Sequence, residues 1–312
     1  MIEKVLSISV LIPTMNRPKA LKRTIDSYLK GSLIPNEIII IDQSNQNEFI
    51  EKIKNFLRTI RQTEIVYYHQ DLASLTIARN KGLSLAKNEV IVWSDDDVDV
   101  YEDTLKNVAN IMCDKSVSMI GGLDDNMGVS KSKLGYLIGT KSFIKREIGH
   151  VTLSMLGRYP DRVNGEVKTE WAMGYFFVIR KSLTMKWHLA WDEKLNSYAY
   201  PEDLDFSYNY YKRSKKEQLR CILSDKVHVK HLGSLEYRVP SRTSTFMYVL
   251  HRYYLSVKHD MGLKSKIAMG WSNFWFKLWK KIKKENYKDF KDAVKYLKTH
   301  KKEIASGQFF YG

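Results

Sequence analysis

Glycine, proline and cysteine are all scarce in this chain of 312 residues, and each shortage removes a class of protein. No glycine precedes Gly31, so the first apolar run cannot open into the Gly-x-Gly-x-x-Gly turn of a dinucleotide-binding domain. No Gly-x-x-x-x-Gly-Lys-Ser/Thr phosphate loop occurs anywhere in the sequence. With 16 glycines and six prolines, long disordered linkers are not expected. The two cysteines, Cys113 and Cys221, form neither a metal-type pair nor a disulfide framework, which fits a reducing cytosol. No stretch approaches the ~18 apolar residues that a membrane span needs. The N-terminal apolar run is interrupted by Ser7 and Ser9 and ends at Pro13, so it predicts a strand, not a signal peptide.

Positive charge is plentiful, and its location matters. The net charge is +16, and residues 258–302 alone hold 14 lysines against four acids. The basicity therefore belongs mostly to the C-terminal tail, whereas a protein that grips nucleic acid along a whole face would spread it more evenly. A hydrophobic content of 44% suffices for one large α/β domain and a smaller appendage.

The first third alternates two periodicities. Strand-like runs at 7–12, 37–41, 65–68 and 90–93 are separated by helical spacings at 18–30, 49–60 and 77–86. Pro18 opens the first helix, and the Ile-rich run from Glu37 to Ile41 has the character of a buried parallel strand. Such an alternation predicts an α/β fold, a Rossmann-like and mostly parallel sheet flanked by helices with right-handed crossovers. Ligands of such sheets sit at the carboxyl ends of the strands. Here those ends carry Pro13 to Arg17, Asp42 to Ser44, and Asp95-Asp96-Asp97. Further on, strands are expected at 117–120, 173–179 and 227–231, and a helix opened by Pro201 over 201–213. Residues 124–168 predict an active-site insertion, and from about 241 the pattern is helical throughout. We place a catalytic domain at 1–240, with a donor-binding half to about 100 and an acceptor half beyond it. Residues 241–312 form a C-terminal helical appendage.

The three aspartates carry the strongest chemical signal. Alternation along a strand end would put Asp95 and Asp97 on one side, about 7 Å apart. Their repulsion of ~2–3 kcal/mol at an effective dielectric of about 20 turns into attraction when a divalent cation lies between them. Oxygen ligands suit Mg2+ or Mn2+, which commonly bridge carboxylates to phosphates.

The series of motifs then resembles the family 2 glycosyltransferases, which are GT-A in fold. The matching segments are Val10 to Arg17, Ile38 to Ser44, Ala78-Arg79-Asn80-Lys81-Gly82, and Asp95-Asp96-Asp97. Gly174, Glu202-Asp203, and His231-Leu232-Gly233-Ser234 follow in the family's order. Each motif is weak alone, and the ordered series covers roughly residues 5–240. The resemblance implies a nucleotide-sugar donor held by Pro13, Thr14, Asn16, Arg17, Asp42 and Ser44. Arg79 would lie near the base or phosphates and Asp95 near the ribose, with Asn80 and Asp96 also on the donor. Asp97 and His231 would ligate the metal. His228, three residues from His231, would face the other side of a strand. Glu202-Asp203 would carry the chemistry, with Asp203 as the general base of an inverting transfer. The physical case agrees, since a helix N-terminus favours an ionised carboxylate. Trp171 and Tyr175 flank Gly174 and are candidates for stacking on the acceptor sugar.

The tail reads as an interfacial helix. In residues 264–284, Ile267, Trp271, Phe274, Trp275, Leu278 and Ile282 share one helical face, with lysines opposite. Two arrangements fit: the stripe lies on an anionic membrane surface, or it packs on the catalytic domain. Many members of the resembled family extend a glycan or lipid-linked glycan at the cytoplasmic leaflet. A peripheral enzyme at the inner face of the plasma membrane is the resulting expectation. Two rival functions remain at this stage. A sugar nucleotidyltransferase would also use paired aspartates and Mg2+, but the glycine-rich loop it normally carries is missing. A basic nucleic-acid binder would suit the tail but not the acidic cluster, so no nucleic-acid partner is expected.

Overall fold

A computed structural model of the protein describes residues 6–126, 134–196, 200–233, 240–283 and 287–311. Ser234 and the last residue of the 264–284 stretch, Lys284, lie outside them, as does part of the 124–168 insertion. The expected alternation is present: β1 (Ile8–Thr14), α1 (Pro18–Leu29), β2 (Glu37–Asp42), α2 (Asn47–Leu57), β3 (Glu64–His69), α3 (Leu75–Leu85) and β4 (Val90–Ser94). Next come β5 (Val98–Val100), α4 (Thr104–Met112) and β6 (Val117–Asp124). The insertion contributes α5 (Leu134–Leu137), the short pair β7 (His150–Val151) and β8 (Gly157–Arg158), and β9 (Glu166–Lys168). Then follow β10 (Phe176–Arg180), α6 (Lys181–Lys186), α7 (Glu202–Lys216) and β11 (Arg220–His231). The chain closes with α8 (Ser241–Lys258), α9 (Gly262–Lys283), α10 (Tyr287–Thr299) and α11 (Lys301–Ala305).

The sheet has the order β3-β2-β1-β4-β10-β6-β11-β5, with β9 beside β11. β1 to β4 are mutually parallel, β10 runs against both β4 and β6, and β11 is parallel to β6. Six of the nine strands therefore share one direction, and only β5, β9 and β10 oppose it. The strands are buried on both faces because side chains alternate between two helical layers. Ile8, Val10 and Ile12 of β1, with Ile38 and Ile40 of β2, pack with Leu21 and Ile25 of α1 and with Ile53 of α2. Leu11, Ile39, Ile41 and Trp93 face the other way, toward Ala78 of α3 and Phe206 and Tyr210 of α7. Each such fully buried side chain contributes roughly 1.5–3 kcal/mol.

The expected boundaries shift where side chains hold the backbone. The strand expected from Met173 begins at Phe176, because the Gly174 amide and carbonyl are both taken up by side chains of the cleft. The helix expected to start at Pro201 starts at Glu202, with Pro201 as its cap after a cis peptide bond.

The tail is tied into the rest of the molecule. Phe246, Leu250 and Leu255 of α8, Met269 of α9 and Phe290 of α10 share one apolar cluster with Trp171 and Leu204. Lys258 and His259 bind the Asp205 carboxylate at 2.6 and 2.8 Å, and His251 bonds the carbonyl of Tyr200. The core is thus continuous across residue 240. α9 packs through a face of small and polar residues, Ser265, Ala268, Ser272 and Asn273, with Met269. Its apolar stripe faces outward: Ile267 is 63% exposed, Phe274 52% and Ile282 70%. No helix among the described residues is long and apolar enough to cross a membrane.

Candidate active site

The carboxyl ends of β1 and β4, the Gly174 turn, the start of α7 and the end of β11 converge on a cavity of about 470 Å³. Each chain segment delivers one functional group for a local reason. β4 ends at Ser94, and the next three residues turn into β5 instead of continuing the strand. That turn separates the roles of the aspartates. Asp96 points inward, accepting from the Thr14 hydroxyl at 2.7 Å and from Arg17 at 3.0 Å. Asp95 and Asp97 gather where β11 ends at His231, and Asp97 also stands 3.7 Å from Arg17.

The ligand atoms of Asp95, Asp97 and His231 all lie within 4.8 Å of one another, closer than the roughly 7 Å expected of a strand end. The turn is the reason for the difference. His231 Nε2 stands 3.2 Å from Asp97, and the imidazole stacks on Tyr175 at 5.2 Å. Two carboxylate oxygens and one imidazole nitrogen fit a divalent cation of the Mn2+ or Mg2+ kind, with further positions left for phosphate oxygens. His228 bonds Asp125 instead, away from this cluster.

Arg79 organises the floor. It is 2% exposed, with Nη1 2.8 Å from Glu202 and Nη2 3.3 Å from both Asp95 and the Gly174 carbonyl. Its guanidinium lies 4.4 Å above the Trp191 ring. Arg79, expected beside the base or phosphates, lines the cavity, where its donors meet Glu202, Asp95 and the Gly174 carbonyl. Asp203 is held from two sides, one oxygen accepting from Gly174 N–H at 2.9 Å and the other from Leu204 N–H at 2.7 Å. Gly174 has no room for a side chain: a Cβ there would meet Arg79 at 2.9 Å and Asp203 at 3.1 Å.

Burial sets the electrostatics. It raises Asp95, even though Arg79 opposes the shift. It pushes Asp96 up to about 7 against the pull of Arg17 and Thr14. Glu202 is pushed up to about 8, again by burial and against Arg79. Asp203 is likewise raised by burial, which outweighs the two backbone amides and Arg79. The sequence argument gave the helix N-terminus the deciding influence and so expected the opposite direction. Desolvation in the cleft is the stronger effect, and it makes Asp203 a better proton acceptor.

The other expected residues divide between cavity wall and scaffold. Pro13, Thr14, Arg17, Trp171, Gly174 and Tyr175 line the cavity. Asp42 does not: it is fully buried, with one oxygen on Ser44 N–H and the other on the Tyr67 hydroxyl. Its neighbour Gln43 lines the cavity and accepts from Ser74 N–H at 2.7 Å. Asn16, with φ of 57°, and Ser44 clasp the two loops together through Asn16 N–H to Ser44 Oγ. Asn80 bonds Trp191 and Glu193 and braces that loop. Gln43, Ser74, Arg158 and Tyr200 line the cavity without having been singled out. Gln43 lies inside a matching motif and was within reach, whereas Arg158 sits in the aperiodic insertion and carries no local signal.

The profile of glycosyl transferase family 2 matches residues 9–186. Among curated proteins, the chain is 29% identical over 119 residues to the Staphylococcus aureus poly(ribitol-phosphate) beta-N-acetylglucosaminyltransferase TarP, covering 37% of this chain and 36% of TarP. It is 33% identical over 91 residues to the putative Escherichia coli colanic acid biosynthesis glycosyl transferase WcaA, covering 29% and 32% of the two chains. The chain thus spans about a third of the length of these relatives. Among solved structures, S. aureus TarS residues 1–349 superpose with a TM-score of 0.52 at 16% identity, over 86% of this chain and 70% of that one. GalNAc-T7 with UDP, GalNAc and Mn2+ gives 0.59 at 18% identity, over 95% and 58%. These likenesses show a shared GT-A fold. With more than half of its length matched by the family profile, the chain belongs to glycosyl transferase family 2.

Proposed function

We propose that the protein is an inverting, metal-dependent glycosyltransferase. It moves a sugar from a nucleoside-diphosphate donor, UDP or dTDP, to a hydroxyl of a glycan or lipid-linked glycan in cell-surface polysaccharide synthesis. The observation that carries this reading is that Arg17, Asp95, His231 and Asp203 wall one cavity. A uridine donor is in keeping with the TarS structure solved with UDP-GlcNAc, whose TM-score is 0.51, and with the UDP-bound GalNAc-T7.

Asp95, Asp97 and His231 would hold Mn2+ or Mg2+, which supplies Lewis-acid stabilisation of diphosphate charge. Asp203, fixed by two backbone amides, accepts the proton of the acceptor hydroxyl as that oxygen attacks the anomeric carbon. The bond from that carbon to the diphosphate oxygen breaks, and the nucleoside diphosphate leaves with the electron pair. Attack from the face opposite the leaving group inverts the centre. Arg17 stands 3.0 Å from Asp96 and 3.7 Å from Asp97 and lends positive charge to the donor side. Arg79 holds Glu202, Asp95 and the Gly174 carbonyl in register, a positioning role.

The protein would work at the inner face of the plasma membrane, with α9 on anionic lipid. Outward-facing Ile267, Trp271, Phe274, Leu278 and Ile282 supply the apolar side, and exposed Lys264, Lys266, Lys281 and Lys283 the charge. Flotation with phosphatidylglycerol vesicles should capture the chain, phosphatidylcholine vesicles should not, and Ile267→Ser/Phe274→Ser should release it. Equal flotation with both lipids, or none with either, refutes that placement.

A thermal-shift panel of UDP, dTDP and GDP with and without Mn2+ tests the enzymatic reading. Stabilisation by one diphosphate that needs Mn2+ is expected. Pyrophosphate release from a nucleoside triphosphate, with no nucleoside diphosphate released from any nucleotide sugar, would replace it with nucleotidyl transfer.

A further inference from the structure

A second cavity, of about 640 Å³, opens from the first and runs between the insertion and the C-terminal helices. The two share Gly157, Arg158, Met173 and Tyr200 in their walls, so Arg158 stands at the junction. The walls of the second cavity are otherwise rich in aromatics, Tyr136, Tyr159 and Tyr248 with Phe276 and Trp279 of α9. Trp279 is 42% exposed on the helix that carries the outward apolar stripe. At the insertion side, Trp271 of the same helix bonds the Leu137 carbonyl at 3.0 Å.

At the junction, Arg158 bonds carbonyl oxygens and no carboxylate among the described residues. Arg158 donates from Nε to the Thr140 carbonyl and from Nη1 to the Gly157 carbonyl, both at 2.7 Å. Among the described residues neither a carboxylate nor any hydrogen-bond acceptor is found at its Nη2. Burial lowers its pKa, and its neighbours are the phenols Tyr200 and Tyr248 and a second guanidinium, Arg252. Arg252 is 1% exposed and lies 4.6 Å from the Tyr248 ring. Its Nη2 is buried with no hydrogen-bond partner among the described residues. Lys141 and Arg146 line the same cavity, Arg146 facing Glu170 at 3.7 Å, and exposed Asp161 is the one acid in the wall. A half-buried guanidinium without a carboxylate carries a desolvation cost, and an anionic ligand offsets it. Arg presents a fork that matches phosphate.

Building on the transferase reading, we propose that this second cavity is the acceptor site and that it takes a phosphate-bearing acceptor. Arg158 binds the phosphate, and the aromatic wall covers the sugar and whatever chain follows it. The phosphate anchors the acceptor at the mouth of the donor cavity, with its hydroxyl directed toward Asp203. A lipid phosphate and a free sugar- or polyol-phosphate chain share this chemistry. They differ in whether an apolar chain follows the wall to Trp279.

Calorimetric titration of the full chain with decyl phosphate, below its micelle concentration, and with inorganic phosphate tests the proposal. Decyl phosphate should bind, Arg158→Gln should weaken it at least tenfold with the melting transition retained, and Arg158→Lys should recover part of the loss. If Trp279→Ala weakens decyl phosphate but leaves inorganic phosphate unchanged, the acceptor is lipid-linked. If inorganic phosphate binds as tightly as decyl phosphate and Trp279→Ala alters neither, the phosphate belongs to a free chain. Unchanged affinity in Arg158→Gln, or no binding of either phosphate to the wild-type chain, overturns the proposal. Mn2+-dependent UDP binding by the wild-type chain reports on the donor reading separately, so the two can fail independently.

Discussion

Replacing Asp203 by asparagine probes the site at its most constrained point. Two backbone amides, Gly174 N–H and Leu204 N–H, address the two carboxylate oxygens separately, at 2.9 and 2.7 Å. An asparagine side chain offers one oxygen and one NH2, so one of these amides must face another donor. Leaving a buried donor unsatisfied costs about 1–3 kcal/mol. In a chain of this size that is a melting point lower by roughly 1.5–5 °C. Loss of the general base costs about 10²- to 10⁴-fold in kcat. Nucleotide binding should be retained, because the metal cluster and Arg17 are not altered. The assay pairs donor-to-acceptor turnover with calorimetric binding of the nucleoside diphosphate in Mn2+ and with a melting curve. Turnover within twofold of wild type would show that another group takes the proton. A melting point unchanged within one degree would show that the amides do not hold the carboxylate as described.

Gly174→Ala should lower kcat about 10²-fold with little change in donor affinity, because its Cβ would press on Arg79 at 2.9 Å and on Asp203 at 3.1 Å and misplace the base. A variant with native kcat would show that the turn yields without moving either side chain. Glu202 has its pKa raised from 4.5 to about 8, so its contribution to stability is fully present below about pH 4.5 and is lost as pH rises through 8. Urea unfolding of the metal-free protein should show wild type losing stability relative to Glu202→Gln, by a few kcal/mol between pH 5 and 9. A gap independent of pH would contradict this. Asp97→Ala should abolish Mn2+-dependent stabilisation by the diphosphate, and chelation of the metal should do the same to wild type. Stabilisation that survives both treatments would remove the cation from the account.

Much of the fold is legible in the sequence because the first four strands are parallel and buried on both faces. The stretch 38–41 of β2, for example, is therefore four isoleucines without interruption, and the helices between the strands show clear spacing. The site is legible as a set of positions more than as a geometry. Asp95, Asp97, Glu202, Asp203 and His231 do converge, but the local turn that brings Asp95 and Asp97 together is not visible in a strand-end argument. The inward commitment of Arg79 and Asp42 is also invisible, since it depends on partners such as Glu202 and Tyr67 that lie far away in the chain. Burial is a property of the assembled cleft, which is why the direction of the Asp203 shift could not be read from its place at a helix start. In α9 the aromatic stripe is the obvious feature, yet the helix packs through Ser265, Ala268 and Ser272, whose small side chains permit close approach. The second cavity is hidden for the same reason: its walls come from an aperiodic insertion and from helices that follow the catalytic motifs.

Anomalous diffraction from crystals of the full chain grown with UDP and Mn2+ tests the central claim most directly. A manganese peak is expected within about 2–2.5 Å of both a carboxylate oxygen of Asp97 and the His231 imidazole. The diphosphate should lie against it, in the cavity that Asp203 lines. A manganese peak at any other residues, or a diphosphate bound outside that cavity, would contradict the account.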